Sequence, residues 1–206
     1  MTRIAVILGS TRPGRRGETV AKWVVETAQR HAAAMLGDAM FELVDLADYA
    51  LPLLDEPVPA KFGQYRNAET ERWSRTIGSY DGFVFVTPEY NHSMPASVKN
   101  AIDYLFAEWN DKAAGFVSYG VHGGTRAVEH LRLTLAEVKV ATVRSQVVLS
   151  VFTDFDYTGF DMTDPTSPGV FVPGNGQEEA LTTMLDEVIA WSGALTPLRA
   201  EVVRSA

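Results

Sequence analysis

Cysteine is absent from the 206 residues of this sequence. Without thiols the chain can form no disulfide, no thiolate metal site and no iron–sulfur cluster, and it has no cysteine nucleophile. Long apolar runs are missing too. The N-terminal stretch of residues 4–8 is too short for a membrane span or a signal-peptide core, and it leads directly into a turn. We therefore expect a cytoplasmic protein that does not cross or bind a membrane.

The chain also lacks an excess of positive charge. Eighteen lysines and arginines stand against 26 aspartates and glutamates, a net charge of −8, so a nucleic-acid partner is not expected. Residues 1–37 reverse this balance with six basic and two acidic side chains, and Arg12, Arg15 and Arg16 lie within five positions of one another. A basic glycine-rich loop in an acidic protein favours binding of a small anion. The alternative is three solvated loop arginines.

Length and composition favour one domain over residues 1–206, with 46% hydrophobic and 21% charged residues. Apolar runs predict five strands, and side chains spaced at i, i+3 and i+4 predict helices between them. The strands are expected at residues 4–8, 41–46, 83–86, 116–117 and 147–151. The helices are expected near residues 20–31, 67–79, 95–106, 128–138 and 181–191, the last of them opened by a cap at Asn175. Strands that alternate with helices indicate a parallel sheet covered on both faces.

Five such repeats fit an α/β fold of three layers, αβα. In this flavodoxin-like, doubly wound arrangement the five parallel strands have the order 2-1-3-4-5. Two long segments, residues 47–66 and 153–175, interrupt the alternation and are rich in proline or glycine. Loops of this length in a compact domain are usually functional lids or interface elements, although they can also be surface wrapping.

The loop after the first strand, residues 9–17, predicts a phosphate site. Gly9 and Gly14 have the spacing of a P-loop, but arginines replace its lysine and serine or threonine, and the dinucleotide fingerprint is absent. What remains is a turn that opens a helix, with the hydroxyls of Ser10 and Thr19 and the guanidinium of Arg12 as natural phosphate partners. The alternative is a turn that only caps the helix.

Two further loops follow strands three and four, and the topology brings them to the same crevice. Pro88 and Pro95 stiffen the first of these loops, and Tyr90 offers a flat face for a planar ligand. The other loop carries glycines at positions 120, 123 and 124, which permit close approach of the backbone, before Thr125 as the expected cap of the next helix.

The motifs in these loops resemble those of the NADPH-dependent FMN reductase family, a flavodoxin-like group that includes bacterial quinone, chromate and azo-dye reductases. The resemblance covers roughly residues 3–150 and is carried by Gly9-Ser10-Thr11-Arg12, Thr19-Val20, the run from Pro88 to Pro95, Lys99-Asn100-Ala101-Ile102-Asp103-Tyr104, Ser118-Tyr119-Gly120 and Gly123-Gly124. The family pattern often has serine where Arg16 or Gly17 stands here.

The resemblance implies bound FMN, with NADPH or NADH as the hydride donor. The cofactor-binding residues that it implies are Ser10, Arg12, Arg16, Gly17, Thr19, Val20, Pro88, Glu89, Tyr90, Asn91, Ser118, Tyr119, Gly120, Gly123 and Gly124. The first six belong to the phosphate loop, and the others line the ring and the ribityl chain.

Flavin chemistry asks little of side chains, so we expect no catalytic acid, base or nucleophile and no metal site. The predicted function is an NAD(P)H-dependent flavin or quinone oxidoreductase that passes electrons to a small-molecule acceptor. The alternative is an electron carrier of the flavodoxin type that does not oxidise NAD(P)H itself. A phosphatase on this fold would need a cysteine nucleophile, which the chain lacks.

The helix expected at residues 95–106 carries more apolar and aromatic side chains than one inward stripe needs. Val98, Ile102, Leu105 and Phe106 lie on it, and Trp109 follows. Such a surplus predicts a subunit interface, and the resemblance likewise implies a homodimer or homotetramer. The alternative is that the two long segments cover this helix within one subunit.

Overall fold

The computed structural model describes residues 1–34, 39–160 and 166–205. The strands are β1 (Thr2–Leu8), β2 (Ala39–Asp45), β3 (Gly82–Pro88), β4 (Lys112–Gly120), β5 (Val140–Ser150), β6 (Phe155–Asp156) and β7 (Val170–Phe171). The helices are α1 (Gly17–Ala34), α2 (Ala68–Gly78), α3 (Ala96–Asp103), α4 (Thr125–Glu137) and α5 (Gln177–Ser205). Short 3₁₀ turns occupy Leu46–Tyr49 and Ala60–Phe62.

The first five strands form one parallel sheet in the order β2-β1-β3-β4-β5, which confirms the topology predicted from the sequence. Strand β3 is buried along its whole length, as expected of a central strand with helices on both faces. All five strands begin before the apolar runs that predict them, because backbone pairing already includes the preceding residues, as between Thr2 and Ala39 and between Lys112 and Val140. β6 and β7 form a separate antiparallel pair inside the long segment after β5.

Two apolar layers enclose the sheet. One contains the inward faces of α1 and α5, with Val20, Val24 and Leu185 among its members. The other contains α2, α3 and α4, with Trp73 and Ile77 buried as the sequence predicts. No helix in the described part of the chain combines the length and the hydropathy needed to cross a membrane.

The helix at residues 95–106 is shorter than expected, because α3 ends at Asp103. The apolar side chains on which the sequence-based argument for an interface rests are covered by the chain itself, since Leu105 and Trp109 are at most 1% exposed. The Tyr104 hydroxyl donates to the Pro52 carbonyl oxygen at 3.1 Å, so the segment before α2 lies over this helix. That surplus therefore belongs to the core and gives no indication of a dimer.

Candidate functional site

A cavity of about 520 Å³ opens where the strand order reverses, at the carboxyl ends of β1, β3 and β4. It is lined by Arg12, Arg15, Arg16, Pro88, Glu89, Tyr90, Tyr119, Gly120, Val121, Val151, Phe152 and Tyr157. Three cationic groups stand beside aromatic and aliphatic walls. The cavity therefore suits a ligand that has both an anionic group and a flat apolar part.

The loop after β1 is packed tightly against the loop after β3. The fully buried Ser10 hydroxyl lies 2.8 Å from the Tyr90 hydroxyl, and it accepts the Arg12 backbone N–H at 3.4 Å. A Cβ at Gly9 would lie 2.5 Å from a methyl group of Val98, so this close approach requires glycine. Ser10 thus fixes Tyr90 at the cavity wall.

The three loop arginines have different partners. Arg15 forms an ion pair with Asp45, donates to a Glu18 carboxylate oxygen at 3.0 Å, and donates to the Ser10 carbonyl oxygen at 2.5 Å. Its side chain is only 9% exposed, and the carboxylates of Asp45 and Glu18 compensate its charge. Arg15 therefore supports the loop from behind and is not a free cation.

Arg16 connects the loop to the segment that follows β5. Its guanidinium donates to the carbonyl oxygens of Pro168 at 2.8 Å and Ser167 at 3.2 Å, and it lies 5.6 Å from the centre of the Tyr157 ring. Arg12, by contrast, is exposed, and its side chain makes no hydrogen bond or ion pair to any described residue. Among the three, Arg12 is the guanidinium available to an incoming anion.

The first turn of α1 faces a buried hydroxyl. The helix begins at Gly17, and the first backbone N–H groups of a helix have no partner within it. A Cβ at Gly17 would lie 2.6 Å from the hydroxyl oxygen of Tyr119, a residue that is 5% exposed. That hydroxyl has no hydrogen-bond partner among the described residues, and burial raises its pKa.

The loop after β3 ends in a tight turn at the cavity rim. Tyr90 and Ser93 exchange both backbone hydrogen bonds, at 2.9 and 3.1 Å, and Asn91 and His92 between them have φ angles of 48° and 71°. An Arg126 guanidinium nitrogen lies 3.1 Å from His92 Nδ1. His92 therefore holds the turn, and it does not reach into the lining of the cavity.

Glu89 joins the same loop to α4. Its carboxylate accepts the Arg126 backbone N–H at 3.2 Å and pairs with the Arg126 guanidinium at 3.0 Å. A carboxylate beside the first turn of a helix complements the helix dipole.

The sequence predicts Thr125 as the cap of α4. This prediction is wrong, because Gly124 is the N-cap residue. A Cβ at Gly124 would lie 2.9 Å from Ser118 Cβ, so the turn has no room for a side chain.

The segment after β5 supplies a wall that the predicted site residues do not include. Val151, Phe152 and Tyr157 line the cavity, and Phe152 is 72% exposed at its rim. The 2% exposed Asp154 fixes this segment at both ends, since its carboxylate accepts the backbone N–H groups of Ser150 at 2.8 Å and Gly174 at 2.9 Å. Residues 161–165 of the long segment lie outside the described residues.

The structure brings about half of the predicted site residues into the cavity lining. Those that line it are Arg12, Arg16, Pro88, Glu89, Tyr90, Tyr119 and Gly120, and Ser10 and Gly17 lie directly behind them. The other six do not line it. The exposed Thr19 donates to the Arg16 carbonyl oxygen, and Val20 is in the core. The Ser118 hydroxyl donates to the Gly123 carbonyl oxygen, and Asn91, Gly123 and Gly124 shape turns.

The additional lining residues are Arg15, Val121, Val151, Phe152 and Tyr157. Arg15 and Val121 lie in loops that the sequence already indicates, residues 9–17 and the glycine turn after β4. For Val151, Phe152 and Tyr157 the only signal in the sequence is the length and aromatic content of the segment after β5.

The doubly wound sheet with its site at the strand-order reversal defines a flavodoxin-like protein. Among solved structures, the NAD(P)H:(acceptor) oxidoreductase FerB from Paracoccus denitrificans superposes with a TM-score of 0.66 at 22% identity, over 94% of this chain and 98% of that one. At this identity the match concerns the fold.

The sequence model of the NADPH-dependent FMN reductases matches residues 2–154, and the chain belongs to that family. It is 36% identical over 199 residues to the NAD(P)H-dependent FMN reductase ntnL of Nectria sp, over 91% of this chain and 96% of the relative. It is 35% identical over 139 residues to a quinone reductase of Escherichia coli K12, over 65% of this chain and 69% of the relative.

Proposed function

We propose that this protein is an NAD(P)H-dependent flavin or quinone oxidoreductase that binds FMN in the cavity above β1, β3 and β4. The observation that carries the proposal is the pairing of an uncompensated Arg12 with a cavity of largely apolar walls, in a chain of the FMN reductase family. The names of the relatives support the same activity, since they include NAD(P)H-dependent FMN reductases and quinone reductases.

The residues present fit FMN. A buried hydroxyl without a partner and the free amides of the first turn of α1 suit a phosphate, and the glycine turn before α4 lets backbone approach a ring. We propose that FMN is held by Ser10, Arg12, Arg16, Gly17, Thr19, Val20, Pro88, Glu89, Tyr90, Asn91, Ser118, Tyr119, Gly120, Gly123 and Gly124, some through direct contact and others by shaping the loops.

FMN supplies the electron-transfer chemistry when bound, and NADPH or NADH supplies the hydride. The chain itself binds and orients these two groups. Arg12 and the first turn of α1 would hold the phosphate, Tyr90 is positioned by Ser10 on one side of the cavity, and Phe152 and Tyr157 contribute to its lining. A small flat acceptor fits an opening with these walls.

We further propose that residues 1–206 act as one domain, assembled as a homodimer or homotetramer in the cytoplasm. The surface offers apolar side chains that a second copy could contact, among them Leu53 and Leu133 at 80% and 76% exposed. The cytoplasmic location is supported by the proposed hydride donor, since reduced nicotinamides are kept inside cells. Light scattering tests the assembly against the 22.6 kDa of one chain, and cell fractionation tests the location.

The deciding experiment measures the visible spectrum of the purified protein and its oxidation of NADPH and NADH. A flavin spectrum, with flavin released on denaturation, together with rapid NAD(P)H oxidation that depends on an added quinone, would establish the reductase. A flavin-loaded protein that is inert toward both nicotinamides would instead establish the electron carrier. A protein that binds no flavin would contradict both functions.

A further inference from the structure

The Tyr119 hydroxyl is the most unusual polar group near the cavity. It is buried at the end of β4, and no described residue meets hydrogen-bond geometry with it, although the nearby Ser10 hydroxyl lowers its pKa against the larger effect of burial. A buried hydroxyl that lacks a partner destabilises the folded protein, because its lost hydration is not replaced. A ligand that supplies an acceptor at this point would remove that cost.

The hydroxyl stands where α1 begins. An added Cβ at Gly17 would come within 2.6 Å of it, which places the oxygen at the first helical residue. The backbone N–H groups of that turn also lack partners within the helix, and the helix dipole makes this end favourable for negative charge. The hydroxyl donor therefore stands beside the helix turn that carries these amide donors.

The sequence at this position explains why a tyrosine is needed. A serine at position 17 would project its own hydroxyl into the same volume, but Gly17 has no side chain. Tyr119 reaches across from β4 and brings a hydroxyl to the place that position 17 leaves empty. The close approach is possible because glycine is small.

We infer that Tyr119 binds the phosphate of FMN through its hydroxyl, in place of a hydroxyl at position 17, and so determines the preference for FMN over riboflavin. The inference rests on the proposed function, since it assigns one donor within the proposed flavin site. It makes Tyr119 a phosphate ligand, whereas the motif resemblance places this residue beside the flavin ring.

The test compares FMN with riboflavin, which lacks the phosphate, by titrating each into flavin-free protein and following flavin fluorescence. We expect Tyr119→Phe to weaken FMN binding about ten- to a hundred-fold, the range for a hydrogen bond to a charged group, and to leave riboflavin binding unchanged. The midpoint of thermal unfolding of the flavin-free variant should be unchanged or raised, because the substitution removes an unpartnered buried hydroxyl.

A second pair of variants returns the hydroxyl by another route. Gly17→Ser combined with Tyr119→Phe should recover part of the lost FMN affinity, whereas Gly17→Ala combined with Tyr119→Phe should not. Gly17→Ser alone should weaken FMN binding, because its Cβ would collide with the tyrosine hydroxyl.

Three results would overturn the inference. They are a Tyr119→Phe variant with unchanged FMN affinity, a variant that loses FMN and riboflavin equally, and an unaltered protein that binds the two flavins equally well. An unaltered protein that binds neither flavin would overturn the proposed function, and the inference with it.

Discussion

Lys112 is a buried cation at the end of the sheet opposite the cavity, and its burial predicts a stability that depends on pH. The residue is 4% exposed, and its ammonium donates to the Ile77 carbonyl oxygen at 2.9 Å. Burial, with a smaller contribution from the charge of Arg199, lowers its pKa from 10.5 to about 8, against the opposing effect of Asp81 and Glu108. The folded protein therefore releases this proton at a lower pH than the unfolded chain.

The sign follows from proton counting. Between pH 8 and 10.5 the unfolded chain holds a proton at Lys112 that the folded chain has lost, so stability rises with pH in this window. A fall of the pKa from 10.5 to about 8 corresponds to roughly 3 kcal/mol at most. Below pH 8 the folded protein bears the cost of a buried ammonium.

The perturbation is Lys112→Met, which keeps an unbranched side chain and removes the charge. At pH 7 the variant should be more stable than the unaltered protein by about 1–2 kcal/mol, because relief of the buried charge exceeds the lost hydrogen bond to Ile77. Between pH 8 and 10.5 the stability of the variant relative to the unaltered protein should fall by up to about 3 kcal/mol, as Lys112 becomes neutral in the folded protein, so that the unaltered protein becomes the more stable of the two.

The assay is urea unfolding of both proteins without flavin at several pH values between 7 and 10.5. Comparing the two proteins at each pH cancels the contribution of the buried tyrosines to the pH dependence of the free energy of unfolding. Lys139→Met is the matched control, since Lys139 lines the same surface cavity of about 340 Å³ but is exposed. A difference between Lys112→Met and the unaltered protein that stays constant from pH 7 to 10.5 would refute the reasoning.

Three further predictions concern the cavity loops. Arg12→Ala should weaken FMN binding about ten- to a hundred-fold and riboflavin binding little, in a fluorescence titration; equal losses would remove Arg12 from the phosphate site. Arg15→Ala should lower the free energy of unfolding by about 1–3 kcal/mol in urea, because it leaves the 16% exposed Asp45 carboxylate without its cation; an unchanged midpoint would contradict this support role. Arg16→Ala should weaken FMN and riboflavin alike and speed proteolysis after residue 152, since the guanidinium holds the segment that walls the cavity; a loss confined to FMN would make it a phosphate ligand instead.

The sheet could be predicted because each strand is indicated by residues that are adjacent in the sequence. Continuous apolar runs such as residues 83–86 need burial on both faces, and only a central parallel strand offers it. The positions of the glycine-rich loop and of Tyr90 at the cavity follow from the same topology. This is why the lining contains Arg12, Tyr90 and Tyr119 as expected from the sequence.

The roles of individual side chains could not be predicted in the same way, because they depend on partners that are distant in the sequence. Nothing in the spacing of three neighbouring arginines indicates that Asp45 pairs with one of them and that carbonyl groups near residue 168 engage another. The apolar side chains of the helix expected at residues 95–106 have distant partners too, since Leu105 and Trp109 are buried in the core and the Tyr104 hydroxyl bonds to Pro52 and Asp55. Val20 and Thr19 show that a motif position can serve the helix rather than the ligand.

The contact between Arg16 and the segment after β5 has an evolutionary consequence. The family match ends at residue 154, yet Arg16 lies inside it while Tyr157, Ser167 and Pro168 lie beyond it. A segment beyond the family match is thus anchored on a residue inside it. Across related sequences, position 16 and the aromatic positions 155 and 157 should be gained and lost together, and exchange of the segment after β5 between relatives should succeed only when position 16 is exchanged with it.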